Sequence, residues 1–82
     1  MRMVINDYEV NDIMRIMREW SNLRQQDVAE SLNRSRDGII KIEKGYRNTY
    51  LKTFLEMANK NGIKVIMEKD EKGGKSLWTK QN

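Results

Sequence analysis

The stretch LRQQDVAESLNRSRDGIIKIEKGYRNTYLKTFLEMANKNG, residues 23–62, decides the fold. Val28, Ala29 and Leu32 share one face of a helix predicted over 25–32. Asn33, a residue that tolerates a left-handed backbone, breaks it. Ser35 is a good N-cap for a short third helix over about 35–44, in which Ile39 and Ile42 face inward and which Gly45 stops. A further helix is expected from about Tyr50 to Lys60, with Leu51, Phe54, Leu55 and Ala58 at i, i+3, i+4 and i+7 as its buried stripe, closed by Gly62. The central feature is therefore a pair of short helices flanking a tight turn. Val28, Leu32, Ile39 and Ile42 form the apolar wedge that fixes their angle, and Ala29 is small where the two must cross closely.

Upstream, Val10, Ile13, Met14, Met17 and Trp20 recur in steps of three and four, predicting an amphipathic first helix over about 10–20 that Asn22 ends. Downstream the period changes. Ile63, Val65 and Met67 alternate with Lys64, Ile66 and Glu68, which reads as a strand. DEKGGK is turn chemistry, and KSLWTK after it either returns as a second strand or belongs to a frayed tail. Alternation also runs through Met1–Ile5, so a small sheet built from both termini is expected beside the helices. The sequence thus predicts one mainly α domain over 1–82. Four to five helices form a core at 9–62, and a terminal β element at 63–82 has 1–6 as its pairing partner.

Composition narrows the function. With 38% hydrophobic and 34% charged residues and no proline, the chain suits a helix-rich globule rather than a disordered tail. Cysteine and histidine are both absent, which removes disulfides, thiolate nucleophiles, histidine bases and the usual zinc ligands together. An enzyme is not expected, nor a metal or cofactor. No apolar run is long enough to span a bilayer, and Arg2, Asn6, Asp7 and Glu9 interrupt the N-terminal hydrophobic residues as no signal peptide does. A cytoplasmic protein is the expectation. Net charge is +4, and residues 23–62 hold eight basic and five acidic side chains. Arg34, Arg36, Lys41, Lys44, Arg47 and Lys52 crowd into 34–52 against only Asp37 and Glu43, a concentration suited to a phosphate backbone.

The ordered set Leu23, Gln25, Val28-Ala29, Leu32, Ser35, Ile39, Ile42-Glu43, Gly45, Arg47-Asn48, Leu51 and Ala58 resembles the phage-repressor (Cro-like, XRE-type) helix-turn-helix family. The resemblance runs without gaps from Leu23 to Gly62, and Met14, Met17 and Arg18 extend it upstream. It implies a repressor-like fold that binds double-stranded operator DNA as a homodimeric transcriptional regulator, with helix 3 in the major groove. Arg36, Asp37, Ile40, Lys41 and Lys44 then project from the side of helix 3 opposite the wedge.

Arg36 suits guanine O6 and N7 bidentately, and Lys41 is a second cation one turn on. Asp37 either accepts from a cytosine amino group or caps the helix. Ile40 either touches a thymine methyl or is an ordinary exposed apolar residue or partner contact. Gln25, Ser35, Lys44, Tyr46, Arg47 and Asn48 are expected on phosphates, where they set register rather than sequence. Helix capping is the competing role for Gln25, and loop stabilisation for Arg47 and Asn48. Arg18 and Glu43 match a pair that in this family joins helix 1 to helix 3 as a largely buried ion pair.

Some positions depart from the family pattern. Asn33 stands where glycine is usual, Arg34 where an apolar residue is, Thr49 where proline is common, and Asn61 where leucine is. Gly38 inside helix 3 costs about 0.5–1 kcal/mol relative to alanine and offers no side chain to a groove, so it either permits close approach to a DNA backbone or marks a surface turned to another purpose. Trp20, Met57 and Trp78, with the edges of the terminal strands, are the candidate dimer surfaces. A second function on the same fold is a protein-binding module, either an antitoxin that neutralises a toxin or a phage-encoded inhibitor.

Overall fold

A computed structural model describes residues 1–69. After a single turn of 3₁₀ helix, Ile5–Asp7, come four α-helices: α1 Val10–Trp20, α2 Gln25–Ser31, α3 Arg36–Glu43 and α4 Leu51–Lys60. The described residues thus form a small, mainly helical domain. None of these helices is long and apolar enough to cross a membrane.

All four helices stop the same way, and the stop is written in the sequence. Asn22, Asn33, Gly45 and Gly62 have φ of 54°, 55°, 80° and 68°. That left-handed residue lets the next amide reach back to the carbonyl five positions earlier, satisfying helix-end acceptors that would otherwise be orphaned. The bonds are Leu23 to Arg18 at 3.2 Å, Arg34 to Ala29 at 2.8 Å, Tyr46 to Lys41 at 2.8 Å and Ile63 to Ala58 at 2.9 Å. Leu23 and Ile63, delivered by these reversals, then pack against the core, as apolar residues after such a stop commonly do.

The core takes two residues from each helix: Met14 and Met17, Val28 and Ala29, Ile39 and Ile42, Met57 and Ala58. Leu23, Leu32, Phe54 and Ile63 close its edges. α3 is the hub, packed on both α2 and α1. Arg34, in the turn, donates to the Thr53 hydroxyl at 3.3 Å, and Lys60 donates to the Ser31 carbonyl at 2.6 Å, so α4 is tied to both ends of the α2–α3 turn.

Three expectations are corrected. First, α4 turns a different face inward. Leu51 is 71% exposed and Leu55 is also exposed, whereas Met57, at 2%, is among the most deeply buried side chains, with Thr53 buried beside it. The helix carries two apolar stripes that share Phe54 and Ala58, and the core has room for one. The flexible Met57 fills it while the Arg34–Thr53 bond fixes the rotation. Met57 is therefore not available as a dimer surface.

Second, no strand forms over 63–67. Ile63 is spent on the helix stop, and Val65, Ile66 and Met67 are exposed, Met67 at 99%, so neither side of the alternation has a core to face. Third, Met1–Ile5 is no strand either, and the chain turns into the 3₁₀ helix at Ile5. The two terminal segments meet only through an exposed Arg2–Glu68 contact at 3.8 Å, which is weak in water. The expected hairpin return and Trp78 lie outside the described residues.

Candidate nucleic-acid interface

The site is built around α3. Its start is fixed by Ser35, whose hydroxyl accepts the Gly38 amide at 3.0 Å, the side-chain cap an N-terminus needs. Its end is fixed by Gly45 and by Asn11 of α1, which reaches the Glu43 carbonyl at 3.4 Å. Between these ends Gly38, Ile39, Ile42 and Glu43 are buried. Arg36, Asp37 and Lys44 are exposed, and Ile40 and Lys41 are half-buried.

Glu43 anchors the helix from below. Its carboxylate receives Arg18 Nε at 2.7 Å and Nη2 at 3.0 Å, while Arg18 Nη1 donates to the Leu23 carbonyl at 2.9 Å. A planar guanidinium and a carboxylate matched in this fork make the strongest kind of side-chain pair. The hydrogen bonds to Glu43 and its negative charge hold the Arg18 guanidinium protonated even more firmly than usual, against the opposing effect of burial. Gln25, at the start of α2, adds a third donor to the same carboxylate at 3.2 Å. Its amide is thus fixed on one flank of α3, where the sequence left capping and phosphate contact open.

On the exposed side Asp37 and Lys41 pair at 3.0 Å across one helical turn. Asp37 is largely open to solvent and Lys41 partly so, and a pair this exposed contributes little to stability. Among the described residues Arg36, Lys44, Arg47 and Lys52 have no carboxylate within 4.0 Å. Arg36 on α3, Lys44 and Arg47 just after it and Lys52 in α4 are therefore not neutralised by described neighbours, the electrostatic condition for attracting a polyanion. Tyr46, Arg47 and Asn48 follow in an exposed loop, and Tyr50, at the N-cap of α4, is exposed beside Lys52.

Two features were not foreseen from the sequence. Gly38 is buried, and a Cβ built on it would lie 3.2 Å from Arg47 Nη1 and 3.2 Å from Ser35 Oγ. A glycine inside a helix was the available signal, but which group approaches it was not readable. The second is Tyr50, whose large exposed ring is indistinguishable in sequence from a core aromatic.

Among the described residues no group of three or more carboxylates could hold a metal. The more enclosed hollow, between the start of α1 and the loop after α3, measures about 210 Å³ and is lined by Glu9, Asn11, Arg47 and Thr49 among others. A shallow trough runs along α4, past Leu51, Leu55 and Glu56. The sequence matches no protein-family model and no curated protein.

Proposed function

We propose that this chain binds double-stranded DNA as a dimeric transcriptional regulator of the phage-repressor, Cro-like helix-turn-helix kind, acting as a repressor in the cytoplasm. The observation that carries the proposal is α3. It is a short helix pinned from below by a bidentate ion pair and capped at both ends, with unneutralised cations on and just after its open side. A helix has the width to enter a major groove, and rigidity matters because base contacts are lost if the helix can rock.

In this account Arg36 reads guanine through O6 and N7, and Lys41, Asp37 and Ile40 contact neighbouring base edges. The Asp37–Lys41 pair opens or is shared with a base pair on binding. Gln25, Ser35, Lys44, Tyr46, Arg47 and Asn48 engage phosphates and sugars along the groove walls. One copy buries too little surface for tight, selective binding, so two copies occupy half-sites roughly 34 Å apart.

Selection of bound duplexes from a random pool tests this. A palindromic consensus is expected, together with affinity that falls steeply with salt and is abolished by combined Arg36→Ala and Arg47→Ala in a folded protein. Indifference of duplex binding to both substitutions would refute the proposal. A protein-binding role, as an antitoxin or inhibitor, is the second reading. The exposed Leu51, Ile66 and Met67 favour it, because each leaves a large apolar side chain in water that a protein partner could cover. Under that reading capture of a protein partner survives the two arginine substitutions and is lost on Leu51→Glu.

A further inference from the structure

Arg47 is fixed by its backbone and free at its tip. Its amide and that of Tyr46 both donate to the Lys41 carbonyl, at 3.2 and 2.8 Å, which folds the loop back alongside the last turn of α3. From there the side chain runs towards the start of the helix and ends over Gly38, where Nη1 stands 3.2 Å from the place a Cβ would occupy. Ser35 Oγ borders the same place at 3.2 Å, but that oxygen is committed to the Gly38 amide as the helix cap. Among the described residues no hydrogen bond uses the Arg47 guanidinium, and no carboxylate lies within 4.0 Å of it. The tip is held by shape, with its donors unspent.

The location on α3 gives this arrangement a use. At about 100° per residue, Gly38 and Glu43 lie on opposite flanks of the exposed side that carries Arg36, Asp37, Ile40 and Lys41. Gln25 occupies the Glu43 flank through its 3.2 Å bond. Arg47 occupies the Gly38 flank. A helix seated in a groove has a phosphate wall on each side, so a donor is needed on each flank.

We propose that Gly38 is a positioning residue for DNA binding: its missing side chain lets the Arg47 guanidinium lie along α3 and take a backbone phosphate on the groove wall opposite the one facing Gln25. The inference rests on the DNA-binding proposal. A methyl group at position 38 makes its neighbours give by a few tenths of an ångström, and the far end of the Arg47 side chain gives more readily than the committed Ser35 cap, so a residue that touches no DNA tunes one phosphate contact.

The test uses the full chain and a fluorescently labelled 20-bp duplex of random sequence at low salt, since phosphate contacts do not depend on sequence. Gly38→Ala and Arg47→Ala should each weaken binding about tenfold and lower the slope of log affinity against log salt by about 0.9, the contribution of one phosphate. The double variant should bind no more weakly than Arg47→Ala alone. Circular dichroism checks that both variants keep wild-type helicity. A nuclear Overhauser contact between the Gly38 α-protons and the Arg47 guanidinium protons of the wild-type chain, read at low temperature and mildly acidic pH, tests the packing without substitution.

Absence of that contact, wild-type affinity of Gly38→Ala, or effects that multiply in the double variant would each overturn the inference while leaving DNA binding standing. A wild-type chain with no salt-dependent binding to the duplex would overturn the DNA-binding proposal, and this inference with it.

Discussion

Glu43 carries its charge inside the protein because three donors meet it, two from Arg18 and one from Gln25. The Glu43 side chain is 5% exposed and the Arg18 side chain 16%, so water offers the carboxylate little replacement for its partner. Removing one partner strands the other, and Glu43→Ala should cost about 3–5 kcal/mol in urea unfolding. Arg18→Met with Glu43→Leu should cost far less, because no charge is then left buried. Asp27 behaves differently, being at the surface. It accepts the Arg24 guanidinium at 2.9 and 3.1 Å and the Arg24 amide at 2.8 Å, closing the first turn of α2. The Arg24 side chain and then its amide hold the Asp27 carboxyl down at about 2, from an ordinary 3.8. Because the folded state favours the ionised form, its stabilisation is complete above the ordinary value and is lost as pH falls through about 2. A carboxyl-carbon NMR titration should give a midpoint near 2 for Asp27, and Asp27→Asn should lower stability near neutrality yet lose less on acidification. An ordinary midpoint would contradict the pairing.

Helix by helix, the sequence was most legible at the ends. Asn22, Asn33, Gly45 and Gly62 mark the four stops, since each residue type is suited to a left-handed turn whatever surrounds it. Which stripe of α4 is buried was less legible, because helical spacing offered two and the choice depended on a hydrogen bond from Arg34, far away in sequence. Met57→Ala should cost about 2–5 kcal/mol, as truncations that leave a core cavity do, whereas Leu51→Ala should fall within about 0.5 kcal/mol of wild type. Equal costs would restore the stripe read from spacing. The alternation at 63–67 misled for a related reason. A two-residue period indicates a strand only where one side meets a core or a partner strand, and past Ile63 the described chain has run off the core.

For the whole molecule, a net charge of +4 is modest, and its distribution matters more than its size. Glu43 is absorbed by Arg18 and Asp37 by Lys41, while among the described residues Arg36, Lys44, Arg47 and Lys52 have no carboxylate partner. The cationic residues of the candidate site were readable from sequence. Their uncompensated state was not, because it depends on which carboxylates fold against which partners. NMR amide shifts during titration with a selected duplex test the central claim most directly, since each backbone site reports its own environment. The largest shifts are expected along α3 at Arg36, Asp37, Ile40, Lys41 and Lys44, with Gln25, Arg47 and Asn48 moving beside them. Shifts confined to Leu51, Leu55 and the segment from Val65 to Met67, with α3 silent, would contradict it.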